Sequence, residues 1–153
     1  MTRLILIIVG FMALAFLGTL IWARSSSRPG TLGINNGGLS PCPDSPNCVS
    51  SRSSNPEQFI AQFSYDISTE QAQLQLVHIL QKMPRANVVT NSPGYIYVES
   101  RSMIFGFIDD TEFLFDEEKM VIHIRSSSRL GYSDMGVNRS RIEKIRYQFN
   151  NLS

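Results

Sequence analysis

Twenty consecutive residues without a charge, Leu4 to Ala23, constrain this chain more than any other feature. As a helix rising ~1.5 Å per residue they extend about 30 Å, the hydrocarbon thickness of a bilayer. Thr19 is the only hydroxyl in the run, so the helix lacks the polar face that a core helix of this length would turn to water. Trp22 stands at its end, where an amphipathic ring suits the headgroup zone. A cleaved signal peptide has an apolar stretch of about 7–15 residues and a small-x-small site. Here the stretch is longer, and Ile21-Trp22-Ala23 is a poor site. Residues 1–23 therefore read as an uncleaved transmembrane anchor. Arg3 precedes the helix and Arg24 and Arg28 follow it, so the positive-inside rule is nearly balanced. A Ser/Gly/Asn-rich stretch and two closely spaced cysteines beyond the helix point the remaining chain outward.

Of the 153 residues, about 130 remain after the anchor, enough for one domain and too few for two. Residues 24–40 read as a flexible linker and 41–153 as a single domain. The net charge of +1 argues against nucleic acid as a partner. The charge is nevertheless segregated. Asp109, Asp110, Glu112, Asp116, Glu117 and Glu118 form an acidic block, and Arg125, Arg129, Arg139, Arg141, Lys144 and Arg146 a basic one. The two blocks are expected to neutralise each other across a sheet.

Pro41 to Cys48 is a turn-rich loop. Val49 to Asp66 reads as an extended, wrapping segment anchored by Phe59, Ile60 and Phe63. Ser68-Thr69-Glu70-Gln71 fits a capping box. It opens a helix to about Lys82, with Leu76, Leu80 and Met83 as its stripe, widened by Val77 and Ile79, and Pro84 as its stop. Four strands are expected at Asn87–Thr90, Tyr95–Arg101, Asp110–Phe115 and Met120–Ser126. Asn138 is placed to cap a last helix that runs to about Phe149 and buries Ile142, Ile145 and Phe149. The order implies an α+β fold in two layers: a four-stranded, mostly antiparallel sheet with two helices on one face, plus the N-terminal transmembrane helix.

Pattern also suggests a register. If Phe115 faces Met120, then Phe113 faces Ile122 and Thr111 faces Ile124, with Ile96 beside Phe115 and Val98 beside Phe113. The other face then carries two cross-sheet rows, Arg101–Asp110–Arg125 and Glu99–Glu112–His123. One reading is a solvated face held by ion pairs worth about 0.2–1 kcal/mol each. The other makes an Arg free to bind an anion, or has the paired carboxylates share a proton with His123. The following loop is denser in polar groups. Arg129, Asp134, Asn138 and Arg139 surround a helix N-terminus, which suits an anion. Alternatively, Asp134 ties the loop down through Arg129 or Arg139.

Cys42 and Cys48 are the only cysteines. In an oxidising compartment they are expected to form a disulfide worth about 2–3 kcal/mol. A redox pair would have two intervening residues, and a zinc site would need both cysteines with His78 and His123 at an unfamiliar spacing. No metal and no cofactor is expected. His78 reads as a core-edge residue. Ser102 to Ile108 is unusually apolar for a connection and is expected to fold over the core edge or to touch a bilayer or partner. Asn138-Arg139-Ser140 and Asn151-Leu152-Ser153 fit the glycosylation pattern.

Three stretches resemble a known family. They are Pro41 to Ser51 (PCPDSPNCVSS), Phe105 to Asp110 (FGFIDD) and Arg125 to Arg141 (RSSSRLGYSDMGVNRSR). Together they are similar to an uncharacterised family, domain of unknown function 1499, over about Leu39 to Phe149. The resemblance implies no activity. It does imply that Cys42, Cys48, Asp109, Asp110, Arg125, Arg129, Asp134, Asn138 and Arg139 rank ahead of other polar residues as site candidates. It also favours a bacterial envelope location, with the helix in the inner membrane and the domain in the periplasm.

Two functions follow as expectations. One is a non-catalytic, membrane-anchored envelope module, binding an anionic ligand or a protein partner through Arg101, Arg125, Arg129 and Arg139, with Asp109, Asp110, Asp134 and Asn138 around them. The alternative is a hydrolase that uses Asp109, Asp110 or Asp134 with His123 as acid and base.

Overall fold

The computed structural model describes residues 2–151, apart from the side chains of Trp22 and Arg24. The expected place of Trp22 in a headgroup zone and the end of the second glycosylation pattern, Leu152-Ser153, lie outside the described residues.

The uncharged run forms helix α1 (Thr2–Arg24). Its segment Thr2–Ile21 is long and apolar enough to cross a membrane, and none of it is buried in the protein. Ser68 caps as expected: its Oγ accepts from the Gln71 N–H and starts α2 (Thr69–Lys82), which buries Ala72, Leu76, Val77, Ile79 and Leu80. The last helix, α3 (Val137–Asn150), buries Ile142, Ile145 and Phe149. His78 is exposed rather than at the core edge.

The strands are β1 (Ile34–Asn35), β2 (Gly38–Leu39), β3 (Cys48–Ser50), β4 (Phe63–Ser64), β5 (Ala86–Ser92), β6 (Tyr95–Arg101), β7 (Ile108–Asp116) and β8 (Val121–Ser128). The main sheet is antiparallel in the order β3-β8-β7-β6-β5, and β4 also pairs with β8. It is therefore six-stranded, not four-stranded. The extra strands come from the wrapping segment, whose pairing is too short to show a period of two. Ile60 and Phe63 anchor that segment as expected, but Phe59 is 46% exposed.

The register lies two residues from the expected one. Phe115 pairs with Ile122, Phe113 with Ile124 and Thr111 with Ser126; on the other side Ile96 pairs with Phe113 and Val98 with Thr111. The cause is the turn. Asp116 stays in β7, and its carboxylate accepts the Lys119 N–H at 3.0 Å and the Lys119 ammonium at 2.7 Å. Met120 takes a left-handed conformation with φ 51° and joins the turn instead of β8. A two-residue slip keeps every side chain on its expected face. Phe113, Ile122 and Ile124 thus lie fully buried under α2 and α3.

The second face is not solvated. Residues 24–40, expected as a flexible linker, lie across it. Leu39 packs with Tyr95 and Tyr97, alongside Leu32, Val89 and Leu114, in a small second core. The β1–β2 hairpin belongs to this cover.

Candidate functional site

The polar face of the sheet carries two buried ionic groups. In the first, Arg129 Nε and Nη2 grip Asp110 at 2.8 and 2.7 Å, and Nη2 also donates to Glu99. The Tyr97 hydroxyl donates to Asp110 and accepts from Arg129. The cover closes the group: Arg129 Nη1 donates to the Ser26 carbonyl at 2.9 Å, and Arg28 Nε to Glu99 at 2.8 Å. Burial alone would raise the Glu99 carboxyl, but hydrogen bonds from Arg28, Arg129 and Tyr97 outweigh it and hold the group down to about 2. Asp110 and Glu99 keep the Arg129 guanidinium firmly protonated. Burial, then the neighbouring Asp110 carboxylate, pushes the Tyr97 hydroxyl far up.

In the second group, fully buried Glu112 accepts from the Tyr95 hydroxyl at 2.8 Å, from the Gly33 N–H at 2.7 Å and from Arg125 at 3.2 Å. Gly33 reaches this position with φ 99°, a conformation that favours glycine. The expected rows Arg101–Asp110–Arg125 and Glu99–Glu112–His123 are thus replaced by Glu99–Asp110–Ser127 and Tyr97–Glu112–Arg125.

A third network sits on the helix face. Asp109 accepts from Ser128 Oγ and from Arg141. Asn138, with no exposed surface, accepts from Ser126 Oγ and Arg141, each at 2.7 Å, and donates to the Asn47 carbonyl and to Ser128 Oγ, each at 3.1 Å. Asn138 therefore does not cap α3 and is no glycosylation acceptor. Gly136 holds the N-cap position without a side-chain cap, and Asp134 just before it takes the N–H groups of Asn138 at 2.7 Å and Gly136 at 3.1 Å. Arg139 donates to the carbonyls of Phe59 and Glu57 at 2.8 Å. The Cys42–Cys48 disulfide is present and closes the loop before β3. It occupies both cysteines, so the zinc set does not form.

Among the expected site residues, then, Asp109, Asp110, Arg125, Arg129, Asp134, Asn138 and Arg139 are taken up by protein partners and do not converge on one cavity. The segregated blocks do neutralise each other, through Asp109–Arg141, Asp110–Arg129 and Glu112–Arg125. The hydrolase grouping is not assembled. His123 lies opposite Leu114, next to Asp116 at 3.7 Å and Ser51 Oγ at 3.5 Å. Those distances exceed hydrogen-bond reach for proton transfer, and Ser51 Oγ already accepts the Ile124 N–H at 2.9 Å. Among the described residues no cluster of three His, Cys, Asp or Glu side chains is placed to hold a metal.

Arg101 is the exception. With Arg85, Arg141 and Lys144 it lines a cleft of about 330 Å³ between α2, α3 and the end of the sheet, and no acidic residue lines it. Arg85, Arg101 and Lys144 are exposed, and none has a carboxylate within 4.0 Å among the described residues. Strand pattern alone does not find Arg85 and Lys144, which only the packing of α3 beside the α2–β5 turn brings to Arg101. Tyr95 and Tyr97 are a legible signal: aromatic side chains alternating with Glu99 mark that face as covered.

A family described as "Protein of unknown function (DUF1499)" matches residues 38–149. No curated protein and no solved structure matches the chain.

Proposed function

Given that the chain belongs to the DUF1499 family of proteins of unknown function, we propose that it is a non-catalytic binding module that takes an anionic group in the Arg85/Arg101/Lys144 cleft and is held to a membrane by α1. The carrying observation is the contrast in charge pairing. Buried arginines are matched to carboxylates, whereas these three cations share a concave site with no acid in its lining. Uncompensated positive charge in a cleft attracts and orients anions, and Arg does so bidentately. The Cys42–Cys48 disulfide supports an oxidising compartment for the domain. With the apolar run of α1 it supports a single-pass inner-membrane protein whose domain is periplasmic.

The test is a titration of inorganic phosphate or pyrophosphate into the full-length protein in non-ionic micelles. Tm rises with ligand in the wild type and stays unmoved when Arg85, Arg101 and Lys144 are all changed to Ala. A flat wild-type response, or an equal rise in the triple variant, refutes the cleft as the site.

A further inference from the structure

Several large apolar side chains stand exposed at the end of the sheet where β6 finishes and β7 begins. Met103, Ile104 and Phe105 form the tip of the β6–β7 connection and are 74%, 64% and 39% exposed; Met135, 95% exposed, lies beyond β8 at the rim of the basic cleft. Monomeric proteins rarely keep such side chains together in water without a partner. The tip is preformed. The Ser102 N–H donates to the Phe107 carbonyl at 2.9 Å, and the Phe107 N–H to Ser102 Oγ at 3.0 Å. The neck of the tip is thus closed by its own hydrogen bonds.

The neighbour of the tip identifies what covers it. The Phe105 ring packs edge-on against Phe16 of α1, with centroids 6.1 Å apart. Phe16 lies inside the uncharged run, seven residues before Ala23, or about 10 Å along the helix. Apolar faces of interfacial segments reach about 5–10 Å into the headgroup and acyl boundary. Any bilayer that α1 crosses therefore meets this loop at that depth. Arg101 ends β6 immediately before this connection and also lines the basic cleft, so tip and cleft are neighbours along the chain.

We propose that the 103–105 tip is a second membrane contact, seating in the boundary zone beside α1, and that the anionic group taken by the cleft is the phosphate of an anionic phospholipid headgroup. The headgroup part rests on the reading of the cleft as an anion site. Apolar tip and basic cleft have separate roles. The tip sets depth and orientation, and the cations select charge.

The experiment uses the full-length protein in lipid nanodiscs. Trp22→Phe removes the only tryptophan, and Ile104→Trp places a reporter at the tip; Leu74→Trp, on an exposed position of α2, is the comparison. Lipids brominated in the acyl chain are expected to quench the indole introduced at the tip at least about twofold and to leave the α2 reporter unquenched. Quenching at the tip should be stronger in phosphatidylglycerol than in phosphatidylcholine, and this difference should vanish in the Arg85/Arg101/Lys144 triple Ala variant. An unquenched tip overturns the proposal, yet leaves the cleft as an anion site if phosphate still raises Tm. A tip that is quenched equally in both lipids overturns the headgroup assignment. Loss of both responses sinks this inference and the proposed function together.

Discussion

Arg129 holds Asp110 through a two-pronged contact, Nε to Oδ2 at 2.8 Å and Nη2 to Oδ1 at 2.7 Å, while its remaining nitrogen reaches the Ser26 carbonyl just past α1. One side chain thereby ties the sheet to the residues that follow α1. The pair is nearly removed from water, with side-chain exposures of 4% and 2%.

Arg129→Ala leaves Asp110 and Glu99 buried with too little positive charge, and the expected loss is about 3–5 kcal/mol. Arg129→Lys recovers little, because an ammonium cannot form the planar fork. Urea denaturation of the full-length protein in micelles, followed by near-ultraviolet circular dichroism, measures both. A cost below about 1 kcal/mol, the range of exposed pairs, would mean that the contact carries no structural weight.

The Glu99 carboxyl, held at about 2 against an ordinary 4.5, makes the docking of residues 25–33 sensitive to acid. A group with a depressed pKa contributes stability that is present above its ordinary value and is lost as pH falls toward the depressed one. Amide exchange at residues 25–33 is therefore expected to quicken, relative to its intrinsic rate, between about pH 5 and pH 2. Glu99→Gln should flatten that dependence and raise exchange at neutral pH. An unchanged profile in the variant would assign the acid response to another group.

Asn138 and Asp134 make a contrasting pair. Asn138→Leu takes one partner each from Ser126 Oγ, Arg141 and the Asn47 carbonyl, leaves them only Thr111, Asp109 and the Ser128 N–H, and puts an apolar side chain among them, with an expected cost of about 3 kcal/mol. Asp134→Ala removes only two hydrogen bonds to backbone N–H groups at the start of α3, at a partly exposed position, with about 1 kcal/mol lost. Equal costs in thermal or urea unfolding would contradict the central place given to Asn138.

The helices and the buried stripe are legible in the sequence because period and caps are local: Ser68, Leu76, Leu80, Ile142, Ile145 and Phe149 act as their spacing implies. The charge segregation is equally informative, since acids and bases of the two blocks meet across β7, β8 and α3. Register is harder to read because the left-handed Met120 leaves no mark in the sequence. The cover is hidden for another reason. Ser, Gly and Asn between Arg24 and Ser40 are the composition of a loose tether, yet Gly33 is there to bring a backbone N–H to Glu112, and Leu32 and Leu39 to cover Tyr95 and Tyr97. The cleft is illegible because Arg85 comes from the α2–β5 turn, Arg101 from the end of β6 and Lys144 from α3.

Gly33 on Glu112 and Ser26 on Arg129 also decide where this folding unit starts. The matched family region opens at residue 38, but a polypeptide cut there would bare Glu99, Asp110 and Glu112 along one side, lose the donors Arg28 and Gly33 N–H, and take from Arg129 the Ser26 carbonyl that accepts from it. Fragments prepared for spectroscopy should therefore retain everything from Ser25. For the same reason, a protease that frees the domain from the helix by cutting between Ser25 and Gly33 must first peel that segment off the sheet, so release would be governed by how often it lifts.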